Sequence, residues 1–298
     1  MTDSAETTRL RLGIAYDGSG FAGWARQPTL RTVQGTLEDA LATIFRRHGE
    51  PPRLTVAGRT DAGVHATGQV AHVDLTAEQL GSLTGPLLKR MNGVLGLESD
   101  VVVTSAEIAP AGFDARFSAI WRRYEYRIAD AGAERNPVVR GHVVTVPGDL
   151  DLEAMDAASV TLVGLHDWAA YCKPREGATT VRYLQDFRWE REPNGVLVAR
   201  VKADAFCHSM VRSLVGAAVA VGSGKLAPTD LARLRDAGER TSEFKVMPAK
   251  GLTLVQVGYP DDLELAARAA QTRARRDPVV PGAVVPGSVV PGSSDGLM

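Results

Sequence analysis

The apolar and polar positions of this chain switch repeatedly between two periods. Residues 9–16 alternate, with Leu10, Leu12, Ile14 and Tyr16 on one side, which predicts a strand. Thr32 then suits an N-cap, and Val33, Leu37, Leu41, Ile44 and Phe45 form a helical stripe. Residues 53–57 and 70–75 read as strands on either side of a glycine-bounded turn. Thr76-Ala77-Glu78-Gln79 has the form of a capping box. Leu80, Leu83, Leu87 and Met91 follow at helical spacing, interrupted at Gly85-Pro86. Strands are predicted over 101–108 and 121–128, and the second places Tyr124 and Tyr126 on one face. A helix over 151–163 should end at Gly164, and a hairpin over 181–190 and 196–203 should turn at Pro193-Asn194-Gly195. Helices over 205–221 and 229–237 and a last strand over 252–257 complete the pattern. The alternation of strands and helices is compatible with either an α+β or a parallel α/β fold.

Composition changes this picture little. The 298 residues carry 34 Lys+Arg against 35 Asp+Glu, a net charge of -1, so any nucleic-acid footprint has to be local. Residues 116–140 hold six arginines against three acids. Nothing reads as a signal peptide or a long apolar span, so the expectation is a soluble, reduced, cytoplasmic protein with no membrane association. Cys172 and Cys207 make no metal pattern with the histidines and read as small packed thiols. Residues 261–298 read as a flexible tail. Val-Val-Pro-Gly recurs there from Val279, Val284 and Val289, and only 261–278 could pack as a helix.

The densest chemistry lies in residues 57–73, where Gly58, Gly63 and Gly68 bracket Arg59, Thr60, Asp61 and His65. Taken alone, this is a tight turn with Asp61 capping the local backbone. A second glycine-rich segment, Gly18-x-Gly20-x-x-Gly23, follows a strand and competes as a dinucleotide loop. Its last glycine leads into residues 24–28 and Pro28 rather than into a helix, which weakens that reading. Gly222-Ser223-Gly224-Lys225 fails as a phosphate loop, because Leu226 stands where Ser or Thr is needed.

Gly58-Arg59-Thr60-Asp61-Ala62-Gly63-Val64-His65 resembles the active-site motif of the tRNA pseudouridine synthase A family. Tyr16-Asp17-Gly18 through Gly23-Trp24 and Gln27 resembles that family's first motif, and the runs around Tyr124 and from Phe206 to Arg212 resemble two more. The resemblance covers roughly residues 10–260 and implies the following. Asp61 would be the catalytic nucleophile, with Arg212 pairing with it. Tyr124 would stack on the target base and move a proton late in the reaction. Arg59 would hold the flipped-out site open. Arg116, Arg123 and Gln34 would be substrate-binding candidates. The reaction would isomerise uridine to pseudouridine at tRNA positions 38–40, in the anticodon arm, without metal or cofactor. The fold would be α+β, two similar lobes sharing a mostly antiparallel sheet with helices packed on one face and the cleft between them. On that reading, residues 1–110 form an N-terminal catalytic lobe and 111–260 a C-terminal lobe, in a homodimer whose partner is tRNA. Two rivals stand beside it: a nucleotide-dependent α/β enzyme using the Gly18–Gly23 loop, and a catalytically idle RNA-binding module.

Overall fold

A computed structural model describes residues 7–273 except 176 and 178. The chain opens with β1 (Thr7–Tyr16), a 3-10 turn at Gly18–Gly20, and α1 (Val33–Phe45). Then come β2 (Leu54–Val56), β3 (His65–Thr76), α2 (Ala77–Gly81), α3 (Leu87–Leu95) and β4 (Val101–Ile108). Next are β5 (Trp121–Ala129), β6 (Val144–Thr145), α4 (Leu152–Val160) and β7 (Gly164–Asp167). They are followed by β8 (Val181–Arg191), β9 (Leu197–Ala203), α5 (Met210–Gly222) and α6 (Asp230–Ala237). β10 (Leu252–Gly258) and α7 (Leu265–Arg273) come last.

Local chemistry sets several of these boundaries. The Thr32 hydroxyl accepts the Gly35 N–H at the head of α1. Thr76 and Gln79 exchange both bonds of a capping box ahead of α2. Pro86 separates α2 from α3, as the interrupted apolar stripe predicts. Gly195 takes φ 81° in the β8–β9 turn, a conformation glycine reaches without a Cβ penalty.

All strands of the described residues form one ten-stranded sheet, ordered β4-β1-β3-β10-β5-β9-β8-β7, with β2 on β3 and β6 on β5. Pairing is antiparallel throughout except β3–β10 and β5–β6. Strands made before residue 110 lie on one side of β10, and those from residue 121 onward lie on the other. The β3–β10 seam is short, with only Thr253 opposite His65 and Leu254 opposite Ala66. Gly68 faces the Val255 backbone there, and a Cβ would collide with it. The fold is therefore α+β with a mostly antiparallel sheet, as the resemblance implied. Leu10, Leu12, Ile14, Tyr126 and Ile128 are buried on one sheet face, and Leu214, Val215, Ala217 and Ala218 of α5 are buried in the same core.

Several sequence expectations are corrected. The helix after Asp151 stops at Val160, and Gly164 opens β7 instead of closing that helix. The helix expected from residue 205 begins at Met210, because Ser209 sits at φ 64° and breaks helical continuity. Asp262–Glu264 and α7 are ordered helical elements, where the expectation was tail. The physical reason is burial: Leu265 and Ala269 pack inward, and the Ser118 hydroxyl donates to the Leu265 carbonyl. The Val-Val-Pro-Gly repeats lie outside the described residues. Cys172 and Cys207, read as small packed thiols, are paired across the fold with Cα atoms 5.8 Å apart. Among the described residues no helix is long and apolar enough to cross a membrane.

Candidate active site

Asp61 sits on the turn between β2 and β3, and the turn is held from beneath. The Trp24 N–H donates to the Thr60 carbonyl, and the Val64 N–H to the Asp61 carbonyl. The Thr60 hydroxyl meets the Tyr16 hydroxyl at 2.8 Å. Gln69 donates to Tyr16 Oη and to the Gly58 carbonyl. Burial pushes the Tyr16 phenol up to about 12, so it is a neutral bonding partner at any ordinary pH.

The Gly18–Gly23 segment is what packs against this turn, and that overturns the dinucleotide reading. A Cβ on Gly18 would run into the Val64 backbone, and Gly23, at φ 101°, lies against the Thr60 carbonyl and Ala62 nitrogen. Four of its N–H groups already have partners in the protein. Gly18 donates to His65 Nδ1, Ser19 to Asp17, Phe21 to the Gly18 carbonyl, and Ala22 to the Arg31 carbonyl. A loop that must cradle phosphate needs those groups unpaired.

The Asp61 side chain is 36% exposed and faces a cleft of about 1540 Å³. Arg212, on the first turn of α5, brings Nη1 to 4.0 Å from Asp61 Oδ2. Its Nε donates to the Met247 carbonyl at 2.6 Å, which fixes the guanidinium over the carboxylate. His208 brings Nε2 to 3.6 Å from Asp61 Oδ1. The loop carrying His208 is positioned by the left-handed Ser209 and by the Lys173 N–H, which donates to the His208 carbonyl. The Cys172–Cys207 pair lies at the same junction.

Tyr124 is buried to 8% on β5 and lines the cleft, with the Phe206 ring edge-on at 5.1 Å. Burial raises its phenol well above the usual tyrosine value, and the nearby Tyr16 and the Asp61 carboxylate reinforce this. Tyr126 shares the face but is core, donating to the Pro248 carbonyl. Two residues before Tyr124, on that same buried face, is Arg122. It donates to the carbonyls of Asp204 (2.6 Å), Ala57 (2.8 Å) and Arg116 (3.0 Å).

The other expected residues divide. Arg59 and Arg116 are exposed and line the cleft. Arg123 does not, because strand alternation turns it to the opposite sheet face from Tyr124, with its guanidinium 5.4 Å from the Trp121 ring. Gln34 borders the cleft, but its amide is engaged inside the protein. It accepts from the Arg26 N–H and donates to Glu38 and to the Leu54 carbonyl. Sequence reasoning assigned no role to His208 or Arg122. Arg122 was legible, since it shares the parity of Tyr124 and Tyr126. His208 carried no signal beyond its place in the third motif.

Among the described residues, eight arginines and Lys173 line this cleft against Asp61 and Asp204, which is the local basic footprint the near-zero net charge concealed. Asp17, His65 and His142 also bring potential ligand atoms within 4.8 Å of one another. His65 is not available as a ligand. Its Nδ1 accepts the Gly18 N–H, and Nε2 donates to the Gly141 and Lys250 carbonyls. Burial holds its pKa below the usual histidine value, consistent with that neutral form.

A family model described as tRNA pseudouridine synthase matches residues 158–260. Proteins called tRNA pseudouridine synthase A are similar over nearly the whole chain. One from Leifsonia xyli subsp. xyli (strain CTCB07) is 64% identical over 288 residues, covering 93% of this chain and 99% of its own. One from Streptomyces griseus subsp. griseus is 52% identical, covering 95% of this chain and 99% of its own. One from Mycobacterium leprae (strain TN) is 48% identical, covering 91% and 96%.

Proposed function

This chain belongs to the tRNA pseudouridine synthase A family, and from that premise we propose that it isomerises uridine at positions 38–40 of the tRNA anticodon arm with Asp61 as the nucleophile. The observation that carries the reading is a convergence. Asp61 and Arg212 are 151 positions apart (212 − 61), yet both face one cleft, within 4.0 Å of each other and beside Tyr124. Pseudouridylation of tRNA is the family's reaction; the anticodon-arm position and the roles below are our assignment.

The net chemistry is an isomerisation. The N1–C1′ bond breaks, the base rotates, C5 bonds to C1′, and the proton leaving C5 is balanced by one gained at N1. No electrons enter or leave, so the reaction needs neither oxidant nor reductant. A base inside a folded RNA has to leave its stack, and Tyr124 and Phe206 offer it an aromatic wall. Arg212 and His208 on either side of the carboxylate keep Asp61 oriented for covalent attack. Tyr124 is placed to relay the proton from C5; because burial keeps its phenol protonated, it accepts that proton only as it passes its own on. Arg59 keeps the vacated stack open, and Arg116 holds phosphate. The chain acts in the cytoplasm as a homodimer that one tRNA spans.

Release of tritium from C5-labelled uridine in tRNA tests this. Asp61→Asn and Asp61→Ala should both abolish release while retaining tRNA binding. Arg212→Ala should lose most activity, and the Asp61→Ala, Arg212→Ala double variant should be no worse than Asp61→Ala alone. Appreciable release by folded Asp61→Ala protein would remove the mechanism.

A further inference from the structure

Helix α7 lies beyond the segment that the sequence resemblance reached, and its side chains form part of the same cleft. Leu265 and Ala269, four residues apart, face the core. Arg268, Gln271 and Thr272, at the i, i+3 and i+4 spacing of one helical face, line the cleft, as does Arg273. The helix is set in place by the Ser118–Leu265 bond and by Ala266 packing at Gly112. Arg273 pairs with Asp114 at 3.0 Å and lies over the Phe117 ring, with 54% of its side chain still exposed. Arg268 donates to Gln271 and is close enough to Arg122 to feel its charge. Arg116, also over Phe117, completes the patch.

We propose that α7 is a phosphate-binding wall, in which Arg268 and Arg273 hold the sugar–phosphate backbone of the RNA strand that enters the cleft beside Arg116. The chemistry favours phosphate over base edges. These side chains belong to one helix at the cleft edge, and guanidinium groups pair with phosphate without regard to sequence. Four arginines converge here (Arg116, Arg122, Arg268, Arg273) against Asp114 and Asp204, so this end of the cleft carries a positive field in a chain of net charge -1. The proposal rests on the tRNA-modifying reading above, and its test is built to fail separately from it.

The experiment measures tRNA affinity across a potassium chloride series for the full chain, Arg268→Gln, Arg273→Gln, the double variant, and the double Lys variant. Each lost phosphate contact should lower the slope of log K against log salt by about 0.7 to 0.9, so the double Gln variant should lose about 1.4 to 1.8. Its KM should rise, while kcat at saturating tRNA stays within about twofold. The double Lys variant keeps both charges and should keep most of the slope. Arg233→Gln, on α6 among its own acidic partners, should leave the slope unchanged. An unchanged slope in the double Gln variant overturns the proposal, as does weaker binding with equal loss in the double Lys variant, because geometry and not charge would then be at stake. Failure of the parent chain to bind or turn over tRNA would instead sink the functional reading itself.

Discussion

Replacing Arg122 by Met should loosen the molecule and its active site together. Arg122 is 9% exposed, and its guanidinium donates to three backbone carbonyls that belong to three separate segments. Ala57 leads from β2 into the Asp61 turn, Asp204 follows β9 on the way to His208, and Arg116 precedes β5. Methionine fills similar volume but donates nothing, so three carbonyls lose their partner. Net hydrogen bonds from a charged donor are each worth about 1.5–3 kcal/mol, but the substitution also removes the desolvation cost of a buried charge. The two effects together leave a loss of about 3–5 kcal/mol, a fall in Tm of roughly 10 °C for a domain this size. Urea unfolding followed by far-UV circular dichroism measures it, with the slope m checked for constancy. Lysine at the same position reaches fewer carbonyls and should recover about half. Turnover by the Met variant should fall more than its stability alone explains, because Ala57 and Asp204 position Asp61 and His208. A Met variant within about 1 kcal/mol of the parent would refute the argument, since no buried network of this size is that inexpensive to lose.

Two further outcomes are expected. Tyr16, Tyr124, Tyr126, Tyr171 and Tyr259 all have phenols raised by burial, so the folded state keeps protons that the unfolded chain gives up above about pH 10. Stability should therefore be full below that pH and fall as pH rises, by about 1.4 kcal/mol per pH unit for each tyrosine and roughly 7 for all five. Absorbance at 295 nm and circular dichroism should change in one cooperative step, and gradual ionisation of these five with the fold intact would contradict it. Removing residues 279–298 should leave Tm and turnover unchanged, whereas removal from residue 261 onward also strips Leu265 and Ala269 from the core and should cost about 2–4 kcal/mol. Equal Tm for the two truncations would show that α7 contributes nothing to the fold.

The family resemblance, and not residue type, singled out Asp61, Tyr124 and Arg212: taken alone, Asp61 reads as a turn aspartate, Tyr124 as a strand aromatic packed in the core and Arg212 as a surface cation. What could not be read was which groups the chain folding would bring against them. The Gly18–Gly23 spacing is the same whether glycine makes room for a phosphate or for the backbone of Thr60 and Val64, and only the tertiary partner distinguishes the two. Cys172 and Cys207 are 35 residues apart, a spacing that says nothing about proximity. Arg123 was offered as a phosphate ligand, yet strand parity sends it to the opposite face from Tyr124. That 261–278 could pack as a helix was allowed for, but nothing local indicated where it would lie or that Gly112 and Ser118 would receive it.

The place of β10 has a consequence for how each molecule is made on the ribosome. Synthesis delivers β4-β1-β3 first, with β2 covering the outer side of β3 only at 71–73, and then β5-β9-β8-β7, with β6 covering β5 only at 128–129. Only when residues 252–258 leave the exit tunnel can β10 join the open remainder, at 65–66 of β3 and 121–126 of β5. Until then each nascent chain exposes two rows of unmatched N–H and C=O groups, the kind of surface that recruits strands from neighbouring polypeptides. A chain released before residue 252 keeps both rows permanently, so premature termination yields two sticky half-sheets rather than a smaller working enzyme. Native assembly is thus a race between translation of the final stretch and capture by another nascent copy, and its outcome depends on how quickly those seven residues arrive.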